Sequence, residues 1–471
     1  MNIAIVGCGF VFDIYMRTHA AHPELTITGV FDIDRARAEC VSLHYGLPVY
    51  RDYDSLLRDP RVEIVVNLTS IGSHYPVTRA ALEAGKHVYS EKPLTTDIEQ
   101  SRALFALARE RGLILSAAPC NLFSDAVCTL WKAVSDGAIG KPLLVYAELD
   151  DNPVHLMNLE NVRSPTGAPW PLVEELQEGC TFEHVGYHLA WICAMFGPAR
   201  SVTAFSKALV QYKTDAPLIP QDTPDYSVAC LDFANGVTAR ITCSFVAPRD
   251  HRMRIIGEAG ELTADSYRHY QSPVFLERFS RSSLNARKLY SLRVHRVLGR
   301  CFGIGGRELR LWRGWKSHAV DVSAAKNLSL PQKLLGRIRH KETYAQDKFL
   351  GIAEMARALK SGRPQPLSAD FLLHLNELTL MIQRAGPDGI ACKPSTTFAP
   401  LTMPEGLPHH TRDYRKGYSP RLIERWLERY LGAIPERFAQ WSGSTQQEPT
   451  QSGPAQKADR EAHRPACPVD G

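Results

Sequence analysis

The sequence predicts an α/β protein in which an N-terminal doubly wound parallel sheet is followed by an α+β domain with a large, mainly antiparallel open sheet. Three observations carry this. Up to about residue 120, short β-branched runs alternate with amphipathic helical stretches, the rhythm of parallel strands joined by crossover helices. A glycine turn, Gly7-Cys8-Gly9, directly follows the first apolar run. Beyond about residue 140, strand-like runs succeed one another with few helices between them, which favours antiparallel pairing.

In the first half the expected strands are Ile3 to Val6, Thr26 to Phe31, Ile64 to Leu68, His87 to Tyr89 and Leu113 to Ser116. The helices between them are expected at Asp34 to Tyr45, Pro76 to Ala84 and Asp97 to Arg111. The second half adds strands at Leu143 to Leu149, Ser201 to Ser206, Ser227 to Phe233 and Thr238 to Phe245. One helix near Phe182 to Phe196 interrupts them, and another, Ala369 to Arg384, follows. The implied organisation is a first domain over 1–122, a second over 123–402, a helical extension over 403–442 and a Gln-, Ser-, Pro- and Gly-rich disordered tail over 443–471. Within the second domain, residues 276–341 form a basic insertion, with sixteen Lys/Arg against three acids.

With 471 residues, 44% of them hydrophobic, the chain can bury a full core. The formal charge of +5 is too small a bias to indicate nucleic acid or a membrane, so any electrostatic partner must be argued from a local patch. Eleven cysteines without a CxxC pair suit reduced thiols, and Met1 leads into a strand without a secretory pattern. No apolar run reaches the roughly 18 residues of a spanning helix. A cytoplasmic protein is expected.

The glycine turn lies where a Rossmann fold binds a dinucleotide. Gly7 permits the tight turn and Gly9 lets backbone approach a pyrophosphate, which would rest on the helix N-terminus at Phe10 and Val11. Phe12 occupies the third position in place of Gly or Ala, and its ring is expected to push the helix from the sheet or turn outward. Asp32, about twenty residues on, ends the second strand, where a carboxylate accepts from ribose hydroxyls and repels a 2′-phosphate. NAD is therefore expected. Arg35 and Arg37 nearby keep NADP open, and an N-cap role for Asp32 is the alternative.

The run Gly85-Lys86-His87-Val88-Tyr89-Ser90-Glu91-Lys92-Pro93-Leu94, with the glycine turn, resembles the Gfo/Idh/MocA family of glucose-fructose oxidoreductase and inositol dehydrogenase. The likeness spans about 1–205 and returns at about 345–402, in Gly351-Ile352-Ala353-Glu354-Met355 and Leu367-Ser368-Ala369-Asp370. The resemblance implies that Lys92 faces the nicotinamide and bonds the reacting hydroxyl, with Glu91 before it and Pro93 forming a rigid, often cis, turn. A lysine at the carboxyl end of a parallel strand also lies where open α/β sheets bind ligands.

The family's second-domain helix carries a histidine preceded one turn earlier by an aspartate. The matching segment is Gly179-Cys180-Thr181-Phe182-Glu183-His184-Val185-Gly186-Tyr187-His188. His188 is thus the candidate proton carrier, since imidazole titrates near neutrality. His184 stands in the aspartate's place on the same helix face, and Glu183, about 100° round the helix, is not expected to substitute for it. No carboxylate or cysteine joins the two histidines at ligand spacing, so no metal is expected, and buried structural histidines are the alternative. Thr69 and His74 resemble the family's segment near the nicotinamide ribose. Asn121 starts the crossover that contributes substrate contacts, and Phe123 stands where an arginine is common.

The reading is hydride transfer between NAD and a secondary alcohol of a sugar, cyclitol or nucleotide-sugar, with a homo-oligomer implied by resemblance. An NAD-dependent glycosidase of the same fold, or a non-catalytic nucleotide- and sugar-binding regulator, are the competing readings. In the insertion, Arg293, Arg296, Arg300, Arg307, Arg310 and Arg313 interleave with Leu292, Val297, Leu298, Phe302 and Leu311. That mixture suits an anionic membrane surface or a diphosphate, with a solvated loop as the alternative.

Overall fold

A computed structural model describes residues 1–215, 217–312, 345–403 and 429. The first domain runs β1 (Asn2–Val6), α1 (Phe10–His19), β2 (Thr26–Phe31), α2 (Arg35–Tyr45), α3 (Tyr53–Arg58), β3 (Ile64–Asn67), α4 (His74–Glu83), β4 (His87–Ser90), α5 (Ile98–Glu110) and β5 (Leu115–Ala117). Its five strands pair in parallel in the order β2-β1-β3-β4-β5. Ile3, Ala4 and Ile5 of β1 and Ile64, Val65 and Val66 of β3 are fully buried. Helices cover both faces, so the central strands read as continuous apolar runs without polar alternation.

Phe12 does not turn outward. Its ring is completely buried, 5.8 Å from the ring of Tyr45, in a cluster with Ile3, Ile5 and Val41. The space is shared with α11 (Phe349–Ser361), a helix from late in the chain whose Phe349, Ile352, Ala353 and Met355 join the same cluster. Close approach of α11 depends on Gly351, where a Cβ would stand 2.3 Å from the Tyr89 hydroxyl.

The second domain contains α6 (Asp125–Ser135), β6 (Pro142–Asp150), α7 (Leu172–Phe196), β7 (Ala199–Lys207), β8 (Tyr226–Phe233), β9 (Thr238–Ser244), β10 (Met253–Gly257), β11 (Gly260–Ala264) and β12 (Val274–Arg278). Three short helices, α8 (Arg281–Ala286), α9 (Tyr290–Val294) and α10 (Arg296–Cys301), precede β13 (Arg307–Glu308). After α11 come α12 (Ala369–Gln383) and β14 (Ile390–Cys392). Nine strands form one sheet, ordered β13-β12-β11-β10-β6-β9-β8-β7-β14, in which β6 and β9 pair in parallel and the other neighbours antiparallel. The sheet is therefore mixed and mainly antiparallel, with α7 and α12 packed together beside it.

The described part of the basic insertion runs through β12, α8 to α10 and β13. The remainder, from residue 313, lies outside the described residues, as do the expected helical extension beyond 403, apart from residue 429, and the tail. No helix among the described residues is long and apolar enough to cross a membrane.

Candidate active site

The turn after β1 has the shape its glycines predict. Gly7 takes φ +99°, and a Cβ there would stand 2.6 Å from the Leu68 carbonyl carbon, so only glycine fits. Gly9 is the N-cap of α1, makes no side-chain cap bond, and faces open space where its Cβ would be. Phe10 and Val11 begin the helix behind it. A helix N-terminus without a cap, entered through a glycine in open space, is a cradle that fits a pyrophosphate.

Asp32 lies beside this turn, its Oδ2 accepting from the Cys8 N–H at 2.7 Å and its Oδ1 from the Asp34 N–H at 2.8 Å. The cap of α2 is Asp34, not Asp32. Arg37 donates to the Cys8 carbonyl and to Thr166, both at 3.0 Å, while Arg35 pairs with Glu39 on the surface. Thr166 also bonds Asp13 of α1 at 2.7 Å, and the Trp170 ring meets Phe10 at 4.8 Å. A strap from the second domain thus crosses the entrance of the glycine turn.

The loops after β3 and β4 are clipped together. His74 is buried, with Nδ1 2.7 Å from the Pro93 carbonyl and Nε2 3.1 Å from the Thr69 carbonyl, and Thr69 Oγ1 donates to Asn67 Oδ1 at 2.7 Å. His74 therefore fixes the loops that carry Thr69 and Lys92, with both ring nitrogens occupied by the protein. The Lys92–Pro93 peptide is cis. Glu91 accepts from Tyr15 at 2.9 Å, from Lys348 at 2.7 Å and from the Lys92 N–H at 3.0 Å. Burial alone would raise the Glu91 carboxyl, but Lys348 and Lys92 outweigh it and hold it down to about 2. Glu91 thus anchors the backbone of Lys92 and joins it to the start of α11.

Helix α7 brings a residue to Lys92 that the sequence pattern did not select. Lys92 Nζ donates to Glu183 Oε2 at 2.7 Å, their side chains 11% and 25% exposed. Burial works against the ammonium, yet Glu183, then Tyr187 and Glu91, hold it above the ordinary lysine range. Tyr187, one turn after Glu183, is nearly buried and stacks obliquely on Tyr267 at 4.9 Å. Its carbonyl accepts from Asn121 Nδ2 at 2.9 Å.

The expected proton carrier stands elsewhere. His188 is fully buried, with Nε2 2.8 Å from the Glu148 carbonyl and Nδ1 accepting from Trp191 Nε1 at 2.9 Å. Burial and the neighbouring His251 push its pKa down to about 3. A neutral ring with both nitrogens engaged in the second domain's core has no position free for substrate. His184 packs edge-on to Phe245, with Nε2 2.8 Å from Arg268 and 3.4 Å from Asp151. Burial and Arg268 keep it neutral, so Nε2 accepts from Arg268 and Nδ1 carries the proton, buried and without a partner. Asn121 Oδ1 is likewise buried and unpartnered.

The helix is therefore turned by one residue relative to the expectation: Glu183 and Tyr187 are offered to Lys92, and the two histidines to the sheet. The cause is local. Gly179 breaks α7 with φ +84°, in a position where a Cβ would overlap the Pro224 carbonyl at 2.6 Å, and the second half begins afresh at Cys180. Arg268, Asp151 and Lys348 were also missed, because each comes from a loop or helix start with no motif around it. Among the described residues there is no group of three or more His, Cys, Asp or Glu that could hold a metal ion.

Residues 1–118 match the oxidoreductase family with an NAD-binding Rossmann fold, and residues 127–263 match the GFO/IDH/MocA C-terminal domain, together just over half of the chain. The chain belongs to the Gfo/Idh/MocA oxidoreductases. It is 32% identical over 148 residues to an inositol 2-dehydrogenase/D-chiro-inositol 3-dehydrogenase of Lactiplantibacillus plantarum, covering 31% of this chain and 42% of that enzyme. An uncharacterized oxidoreductase of Synechocystis is 26% identical over 278 residues, covering 56% of this chain and 72% of the relative. The WlbA dehydrogenase of Bordetella pertussis, solved in complex with NADH and UDP-GlcNAcA, shares the fold with a TM-score of 0.58 at 16% identity, over 84% of this chain and 97% of that one. The turn at Gly7 and Gly9 lies within the part that matches the NAD-binding Rossmann family, and the Glu91-Lys92-Pro93 loop stands at the carboxyl end of β4.

Proposed function

We propose that this oxidoreductase exchanges a hydride between NAD and a secondary alcohol of a sugar, cyclitol or nucleotide-sugar, with Lys92 carrying the hydroxyl proton. The observation that carries the reading is the Lys92–Glu183 pair at the carboxyl end of the parallel sheet, 2.7 Å apart and largely screened from water. Gly7, Gly9, Phe10 and Val11 would hold the pyrophosphate, and Asp32 the adenosine ribose; Thr69, Glu91 and His74 shape the nicotinamide end. The bound cofactor supplies hydride acceptance or donation. Everything else is the chain's own work.

In the reducing direction the Lys92 ammonium donates to the forming alkoxide, and Glu183 stabilises the charge it held beforehand. In the oxidising direction Lys92 first releases a proton to solvent, against the pull of the Glu183 carboxylate, and then takes the substrate's hydroxyl proton. A positioned donor of this kind is worth about 10² to 10⁴ in rate. The unpartnered Asn121 Oδ1 supports a role as a substrate contact, since buried polar groups lacking partners cost free energy until a ligand completes them, whereas His184 faces the sheet. His188 contributes by fixing the second domain's core. Asp32 favours NAD over NADP, and Arg37, held by Cys8 and Thr166, is engaged away from a 2′-phosphate.

The test is a nicotinamide absorbance screen of the purified protein against sugars, cyclitols and nucleotide-sugars in both directions. Net reduction of NAD by a polyhydroxylated ring, or the reverse with its ketone, is the expected result. Product formation without net change in the cofactor would replace the reading with the glycosidase one, and binding without turnover with the regulator.

A further inference from the structure

We infer that the α8–α10 projection is a docking surface for an anionic lipid bilayer. Residues 279–306 contain six Lys or Arg and no Asp or Glu. Fifteen large apolar residues are exposed among the described ones, and six of them fall between 284 and 298: Leu284, Leu289, Tyr290, Val294, Val297 and Leu298. Their density is what sets this stretch apart, because singly scattered surface apolar residues need no explanation.

The projection is built to hold these side chains outward. Glu277 of β12 takes Arg287 in a two-pronged bond at 3.0 and 2.6 Å and also accepts from the Gly305 N–H at 2.7 Å, tying both ends of the excursion to one strand. Ser280 and Ser283 close a capping box on α8. The α9–α10 junction is tight at Gly299, where a Cβ would stand 2.6 Å from the Leu292 carbonyl. A scaffold anchored at its base therefore presents Val294, Val297 and Leu298 beside the exposed Lys288, Arg293 and Arg300.

Charge selects the occupant. Two copies meeting through the same patch would bring like charges together in an isologous contact. Single-stranded nucleic acid is held by stacked aromatic rings, and here the exposed rings of Tyr290 and His295 stand among five exposed aliphatic side chains. Aliphatic groups flanked by Lys and Arg suit the boundary between headgroups and acyl chains, where apolar insertion and attraction to anionic lipid add. Membrane docking is independent of which ring is oxidised.

Flotation of the full-length protein with vesicles of phosphatidylcholine alone, or with phosphatidylglycerol added, tests this directly. Binding is expected to the anionic vesicles at low salt and to weaken as salt rises. The double variant Val297→Ser/Leu298→Ser should lose about tenfold in partitioning. Arg293→Glu should lose more than about fivefold, the effect of a single charge near such a surface. Melting temperature and circular dichroism check that the variants are folded. Absence of binding to anionic vesicles, or binding that neither variant changes, overturns the proposal. So does a smaller assembly for the double variant than for wild type by sedimentation velocity, which would assign the patch to self-association.

Discussion

Replacing Glu183 with Gln removes the charge that holds Lys92 while keeping the side chain's size and an acceptor for its ammonium. Two unit charges about 4 Å apart near a protein surface attract by about 4 kcal/mol. Lys92 and Glu183 are closer, at 2.7 Å, but Glu183 is a quarter exposed, and solvent and relaxation leave about 2–3 kcal/mol of net support. Burial, which opposes the ammonium, is then opposed only by Tyr187 and Glu91. At about 1.4 kcal/mol for each pH unit, the alkaline limb of kcat/KM for ketone reduction should move down by about two pH units. Alcohol oxidation, which needs the neutral amine, should gain at the same pH values. The assay is a pair of pH profiles, one in each direction, for wild type, Glu183→Gln and Glu183→Asp, the last restoring most of the wild-type profile. Limbs that coincide in wild type and Glu183→Gln would refute coupling between the two groups.

Three further outcomes follow from the same geometry. Glu175, pushed up to about 8 by burial and by Glu183, binds its proton in the folded state far above the unfolded carboxyl, so its contribution to stability is complete at acid pH and is lost as pH rises towards 8. Glu175→Gln should thus gain up to a few kcal/mol on wild type between pH 5 and 9, read as diverging melting temperatures; parallel melting curves would contradict it. His188→Ala leaves the Trp191 N–H and the Glu148 carbonyl unpaired and should cost about 3 kcal/mol in denaturant unfolding while leaving the pH profile of kcat/KM unchanged; a vanished acidic limb would restore it as a proton carrier. Wild type should bind NADH at least about tenfold more tightly than NADPH, and Asp32→Ala should bring the two together; equal wild-type affinities in a fluorescence titration would remove the role given to Asp32.

Element types were legible wherever one periodicity dominated. The runs at Ile3 to Val6 and Ile64 to Leu68 could belong only to buried parallel strands, and the Glu91-Lys92-Pro93 loop announced its own place at a strand end. What sequence could not give was the rotation of α7. A spacing of four residues says that His184 and His188 share a face, and equally that Glu183 and Tyr187 do; which pair meets Lys92 is decided by the break at Gly179 and by its contact with Pro224. Phe12 is a similar case. Its burial needs Tyr45 and the late helix at Phe349, and neither partner is visible from the glycine turn itself. Lys348 reaches Glu91 across 257 positions of chain, a pairing no local pattern encodes.

The central claim is that Lys92 carries the proton in a site whose cofactor cradle lies elsewhere on the sheet. Stopped-flow turnover and NADH titration of Lys92→Ala, on the same preparation, test it most directly. Turnover should fall by at least about 10² with cofactor affinity within a few fold of wild type. A variant that keeps most of its turnover, or that loses NADH binding in step with its rate, would contradict the assignment.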